Sequence, residues 1–436
     1  MRLSAEPKLL AEPRGGVPEV VDTLRGFEEA CDRLASADGP LAADAERAYS
    51  YRYSHKDWLI QFKREGAGIV LLDPVALSEL GVHWDVFNQA VGGATWILHD
   101  AMQDLPGFNE IGLKPASLFD TEIAAKLLGQ RKFGLAAVTE RYLGVTLAKE
   151  HSAADWSYRP LPRDWRNYAA LDVEVLIELE EALRRDLEAE GKWEWALQEF
   201  EDILRKGFSR KRPSPDPWMN ISHFTALGQD RRAQAVAKAL WEKRDALARG
   251  FDIEPTLLLS DAAIIEAALK KPHNAAQFRA IRSLNERVRR NASGEQAKMY
   301  ERYAPIQRKV KPSVWKQVIE QALELPRSKW PKQVPGKESR HGKAPKSMSY
   351  WAKHHPERLD RLRTVRKAVG QIAARTRTPD SMVIKPQILR NLCWRDDVDR
   401  FDEDDVASFF REQGARQWQI DLTAESVSRA IICGLP

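Results

Sequence analysis

Leu41-Ala42-Ala43-Asp44-Ala45-Glu46 reads as a short apolar strand carrying two carboxylates on one face, because strand residues two apart project the same way. Like charges on a buried face are costly unless a cation or water compensates them. Upstream, apolar residues recur at helical spacing from Val21 to Leu34, with Asp22 or Thr23 as the cap, and Gly39-Pro40 ends that helix. Downstream, residues 58–65 alternate as a second strand, Gly66 to Gly68 supply a turn, and residues 69–74 form a third. A β-meander therefore opens this domain. Residues 94–99 make a fourth strand behind Gly92-Gly93, and from Asp120 the pattern is mainly helical, closing in one long helix over about 163–190.

The chain of 436 residues is long for one core and predicts two or three domains. With 43% hydrophobic and 30% charged residues it has the composition of a globular protein, not of a disordered one. No apolar run approaches the roughly 20 residues that span a bilayer. The first residues, M-R-L-S-A-E-P-K-L-L, lack a signal-peptide core, so a cytoplasmic location without membrane attachment is expected. Cys31, Cys393 and Cys433 are too far apart for a zinc pattern and read as idle thiols of a reducing compartment.

Residues 1–20 are rich in Pro and Gly and read as a flexible lead-in to a domain at 21–208. Pro213-Ser214-Pro215-Asp216-Pro217 marks a boundary, beyond which a helical domain covers 215–300. A helical segment and basic linker follow over 301–358. Between Pro326 and Lys346 they set Arg327, Lys329, Lys332, Lys337, Arg340, Lys343 and Lys346 against Glu338 alone. A second helical domain occupies 359–436. Its order of helix, proline-marked loop, apolar triplet and helix repeats the first, with Arg244 matching Arg366, Leu257 to Leu259 matching Met382 to Ile384, and Ile264 matching Leu389. The net charge of +5 is modest, and the basic linker is either a source of phosphate attraction or a plain solvated connection.

Three separated stretches carry the chemistry. Asp-x-Glu alone is uninformative, since it occurs at Asp44, Asp120, Asp172, Asp186 and Asp252. Asp120 precedes I-A-A-K-L-L and reads as a helix cap, Asp186 lies on a charged helix face, and Asp252 lies in a loop. Only Asp44 combines an apolar strand, a later Asp104 just past another strand, and Tyr168 and Asp172 four apart on one helix face. Hard oxygen ligands converging from distant segments suit two divalent cations beside a phosphodiester, with Tyr168 placed to orient water. Asp100 competes with Asp104 for the central position.

With these motifs, residues from about 22 to 207 resemble the ribonuclease D family, the DEDDy branch of the DnaQ-like exonucleases. The matching positions are Ala43-Asp44-Ala45-Glu46, His99 with Asp104 five residues on, and Tyr168 with Asp172. Upstream of the third stand Lys149-Glu150-His151-Ser152 and Asp155-Trp156-Ser157-Tyr158-Arg159-Pro160-Leu161, similar to the family's Asp-Trp and Arg-Pro-Leu stretch. The segments near 218–295 and 360–432 resemble helicase-and-RNase-D C-terminal (HRDC) domains. The resemblance implies an RNase H-like α/β exonuclease domain followed by two all-α HRDC-like domains. It also implies Mg²⁺ or Mn²⁺ dependence and release of nucleoside 5′-monophosphates from single-stranded RNA 3′ ends, tRNA precursors among them. In that scheme Asp44 touches both metals, Glu46 and Asp172 hold one, Asp104 supports the other, and Tyr168 orients the nucleophile. Ala45 and Arg47 depart from the family's usual threonine and aromatic, which is expected to affect how the terminal base packs.

His99, Gln61, Trp156 and Arg159 are further candidates for substrate contact, each with a purely structural alternative. Arg131 and Lys132, just before F-G-L-A-A-V, are either phosphate contacts or an ordinary exposed pair. Two other functions stay open on these residues: a DNA exonuclease with the same chemistry, and a non-catalytic RNA-binding scaffold on an exonuclease fold.

Overall fold

A computed structural model describes residues 6–148, 151, 153–208, 214–332 and 344–432. The exonuclease-like part is built on a mixed sheet. Its strands are numbered in chain order with a small outlying pair: β1 (Lys8–Leu10), β2 (Val20–Val21), β3 (Leu41–Arg47), β4 (Asp57–Arg64), β5 (Gly68–Leu72), β6 (Thr95–Leu98), β7 (Ser117–Asp120) and β8 (Val145–Leu147). The main sheet runs β2-β5-β4-β3-β6-β7, and β1 pairs with β8. The expected meander is β3-β4-β5, antiparallel throughout, whereas β6 and β7 join parallel to β3. Strands β7 and β8 lie in stretches too short to show alternation.

The two faces of β3 explain its composition. Ala43, Ala45, Ile60, Phe62 and Leu72 face a core closed by the Leu24–Ala35 helix. Thr23 caps that helix by accepting from the Gly26 amide at 3.2 Å. On the opposite face, Leu59 and Leu71 pack against Trp165, Ala169 and Ala170 of the Arg163–Glu174 helix. Asp44 and Glu46 share that second face, so the helix is laid directly across them.

Two expectations for this domain are corrected. The lead-in is tied down from Lys8: besides pairing through β1 and β2, Glu12 binds Arg163 at 2.8 Å and Arg166 donates to the Pro18 carbonyl at 2.9 Å. The long helix is two helices, Arg163–Glu174 and Leu176–Ala189, broken at Val175. Lys63 donates to the Glu174 carbonyl at 2.6 Å, an inserted side chain of the kind that interrupts a helix where neither Pro nor Gly signals it.

Beyond Pro217 all regular structure among the described residues is helical. The repeat is plain in the fold: a 21-residue helix (Arg231–Phe251; Pro356–Thr376), a four-residue helix (Pro255–Leu258; Asp380–Val383), then a third (Asp261–Lys270; Pro386–Trp394). The boundaries move, however. Trp315, Ile319 and Ala322 of the Pro312–Glu324 helix sit in the core of the first domain with Val236, Leu240 and Ile264. Ala344 and Trp351 belong to the core of the second. The 301–358 segment is therefore shared between the two domains. Lys337, Arg340 and Lys343 of the basic linker lie outside the described residues.

Both helical domains touch the sheet domain. Tyr51 stacks on Tyr300 and Tyr303, with centroids 4.7 and 6.0 Å apart. On another side Trp418 stacks on Trp195 at 4.7 Å and donates its indole N–H to Glu199 at 3.0 Å. Cys31 and Cys393 are buried free thiols pushed up by that burial to about 11 and about 12, in keeping with idle cysteines; Cys433 lies outside the described residues. No described helix is long and apolar enough to cross a membrane.

Candidate metal centre and catalytic cleft

Strand β3 presents Asp44 and Glu46 toward the helix that carries Tyr168 and Asp172 one turn apart. Ligand oxygens of Asp44, Glu46 and Asp172 lie within 4.8 Å of one another. The Tyr168 hydroxyl donates to Asp172. Asp104, buried, stands just before the Leu105–Ile111 helix beyond β6. It is close enough to add to the charge that Asp44 feels.

Burial, then repulsion from Asp104 and Asp172, holds the Asp44 carboxyl well above its usual range. Glu46 is raised by burial and then by Asp44 and Asp172. Burial takes Asp172 up to about 7, against the Tyr168 hydrogen bond, and Asp104 up to about 6, against Arg47. Burial and the neighbouring carboxylates push Tyr168 upward, so its hydroxyl remains a proton donor. A group of oxygen-only ligands whose mutual repulsion is opposed only in part, by Arg47, fits hard divalent cations.

The cleft over this group has a volume of about 630 Å³, walled by His99, Leu135, Ala136 and His151 beside the acidic residues. His99 accepts or donates through Nδ1 to the Thr121 hydroxyl at 2.8 Å, and burial lowers it to about 4, so it is a neutral imidazole near pH 7. Gln61 is the β4 partner directly opposite Asp44, fully buried, with neither side-chain atom hydrogen-bonded. His151 holds Asp164 at 3.1 Å; Lys149, Glu150 and Ser152 lie outside the described residues.

Several candidates settle elsewhere. Asp100 binds Gln103 at 2.6 Å in a left-handed turn; like Asp104 it lies outside the three-carboxylate group, but it is Asp104 whose charge raises Asp44. Asp120 caps the Thr121–Leu127 helix, accepting from Glu122 and Ile123 amides at 2.9 and 3.1 Å. Trp156 has no exposed surface and packs on Trp165 and Tyr168, so no base reaches it. Arg159 spends its guanidinium on Asp73 at 2.5 Å and on the Trp58 and Trp156 carbonyls, which anchors the loop rather than an RNA end.

Sequence reasoning missed two parts of this site. Arg47, expected to alter base packing, points inward and bridges Asp57 at 3.0 Å and Asp104 at 2.6 Å. Its only signal was its departure from an aromatic. The second part is a wall from far downstream: Glu295, Gln296 and Met299 line the cleft from the Gly294–Glu301 helix. That helix is docked by the tyrosine stack and by Tyr303, which donates to Asp155 at 2.9 Å. No local pattern in the sequence signals that approach.

Comparison with known proteins agrees with this architecture. Residues 18–188 match the family model described as 3′-5′ exonuclease, residues 233–296 an HRDC domain, and residues 344–431 a 3′ to 5′ exonuclease C-terminal domain, where a second HRDC-like domain was expected. Ribonuclease D of Acidiphilium cryptum (strain JF-5) is 30% identical over 277 residues, 62% of this chain and 67% of that protein. Across the first three curated ribonuclease D relatives, the chain spans 52% to 67% of their own length. A protein of Bifidobacterium adolescentis with a known crystal structure is 62% identical, over 98% of this chain and all of that one, with a TM-score of 0.93. The crystal structure of Escherichia coli RNase D, described as an exoribonuclease involved in structured RNA processing, shares the fold at a TM-score of 0.60 and 20% identity, over 96% of this chain and 99% of that one.

Proposed function

The chain belongs to the ribonuclease D family, and from that premise we propose that it is a cytoplasmic 3′→5′ exoribonuclease acting on single-stranded RNA 3′ ends, including those of tRNA precursors. The observation that carries this reading is the meeting of Asp44, Glu46 and Asp172 oxygens within 4.8 Å, under the Tyr168 hydroxyl and at the floor of a cleft. Asp44, Glu46 and Asp172 would hold one divalent cation, Mg²⁺ or Mn²⁺, and Asp104 would support a second beside Asp44. Such ions supply Lewis-acid polarisation of the phosphoryl group and a nucleophile at neutral pH.

The protein's own groups do the rest. Tyr168 stays protonated and shares Asp172 with the ion site, so its hydroxyl orients the attacking water by hydrogen bonding. Neutral His99 and the apolar side chains of Leu135 and Met299 narrow the space beside Asp44 and admit a single strand end. Arg47 holds Asp104 in one orientation, which positions it without touching substrate. The two helical domains bind the body of a structured RNA while its end enters the cleft.

The test uses labelled RNA and DNA strands of matched sequence, with Mg²⁺ and with a chelator. Stepwise loss of 5′-monophosphates from RNA, dependent on metal and abolished in Asp44→Ala with the fold and RNA binding retained, is the expected result. Preference for the DNA strand would replace RNA as substrate, absence of turnover in pure wild-type protein would leave a binding scaffold, and an active Asp44→Ala variant would refute the site.

A further inference from the structure

We infer that the exposed turn Arg131-Lys132-Phe133 is the landing for the nucleotides immediately upstream of the scissile bond, Phe133 stacking on a base and the two cations holding the flanking phosphates. The inference rests on the exonuclease reading and adds a substrate subsite to it.

The turn enters the Leu135–Leu143 helix, whose first residues Leu135 and Ala136 wall the cleft beside Asp44 and His99. Ala136 also lines a second groove, of about 1590 Å³, along with Arg131 and Lys132. Ala136 is thus common to the walls of the cleft and of the groove that carries Arg131 and Lys132, which puts the two cations on the side of the Leu135–Leu143 helix next to the acidic floor. All three residues are exposed. Arg131 and Lys132 enter no hydrogen bond or ion pair among the described residues, whereas Arg377 in the same groove is bound to Glu190 at 2.9 Å. Phe133 keeps 39% of its surface exposed, and its backbone lies against His99, a wall of the cleft. Lys126, itself paired with Glu122 at 2.6 Å, lies over the Phe133 ring at 4.4 Å, which holds the ring in place.

The chemistry requires such a rim. The carboxylate floor and the cations it would hold act on the scissile phosphate, so the phosphates upstream of it need cations outside the floor. Stacking on an aromatic with cations along the backbone is how single strands are held without reading sequence. An acidic protein segment fits the two cations but gives no reason for an exposed ring at the mouth of a phosphodiester site.

The test compares a 12-nucleotide RNA with uridine 5′-(p-nitrophenyl phosphate), which has no upstream nucleotide. In Phe133→Ala, and separately in Arg131→Gln/Lys132→Gln, the KM for the RNA should rise at least about fivefold relative to that for the ester, with the effect in KM rather than kcat. Phe133→Trp should restore the wild-type ratio. Removing both cations should also flatten the log KM against log salt slope by about 1.4. An unchanged KM ratio in an active wild-type background would overturn the role of the turn alone. An equal loss on both substrates would also overturn it, since the turn would then be shaping the floor. Wild-type protein that hydrolyses neither substrate would overturn the exonuclease reading, and this subsite with it.

Discussion

Replacing Arg47 by methionine should be among the most destabilising single changes at the site. The guanidinium joins Asp57 at 3.0 Å and Asp104 at 2.6 Å, and the three side chains are only 8%, 1% and 3% exposed. Removing one partner of a buried ion pair costs about 3–5 kcal/mol, because the remaining charge has neither water nor a counter-charge. Here two carboxylates are stranded together, and the second Asp57 oxygen already lacks a partner. They escape the penalty by binding protons, so the loss depends on pH. With Arg47 present, burial raises Asp57 to about 7 and Asp104 to about 6 while Arg47 opposes it; without Arg47 both rise further. A carboxyl raised in the folded state contributes stability that is complete below its unfolded value, about 4, and is lost as pH rises through the folded value. The deficit of Arg47→Met should therefore be largest at pH 8 and shrink toward pH 5.5. Guanidinium unfolding followed by tryptophan fluorescence, in EDTA at both pH values, measures it. Arg47→Met/Asp57→Asn should recover roughly half of the loss, since one stranded charge is gone. A loss below about 1 kcal/mol at pH 8, or an equal loss at both pH values, would refute the assignment of Arg47 as the clamp.

Three other outcomes follow from the same geometry. Gly107→Ala should cost about 1–3 kcal/mol in the same unfolding experiment, because a Cβ there would overlap the Asp57 carboxylate; a neutral result would mean that Asp57 is free to move. Metal-free wild-type protein should melt at higher temperature at pH 5.5 than at pH 8, since Asp57, Asp172, Asp104 and Asp120 all have folded values of about 6 to about 7, and Mg²⁺ or Mn²⁺ should raise the melting temperature more at pH 8 than at pH 5.5; the opposite trend in either would contradict the electrostatics of the floor. Tyr168→Phe should lower kcat on the order of 100-fold with KM and melting temperature little changed, and full activity would remove Tyr168 from the orientation of water.

Much of this architecture is written locally. Alternation marks β4, short apolar runs bounded by Gly and Pro mark β3 and β5, and the spacing of Tyr168 and Asp172 places them on one helix face wherever that helix lies. The N-cap reading of Asp120 and the helix-loop-helix repeat are equally local, since caps, prolines and apolar triplets act over a few residues. Folding was needed for whatever depends on which surfaces meet. The pairing of β1 and β2, the helix break produced by Lys63, and the packing of Trp315 into the first helical domain link residues far apart in the chain, and no spacing rule reaches that far. The same holds for the site: carboxylates are recognisable one by one, but Arg47 becomes the partner of Asp104 only where β3 ends beside the Leu105–Ile111 helix, and Gln296 and Met299 become cleft walls only after the tyrosine stack docks their helix. Short-range sterics and hydrogen bonding make strands, caps and helix faces legible one residue after another, whereas charge compensation and cleft shape arise from burial between distant segments and exist only in the folded molecule.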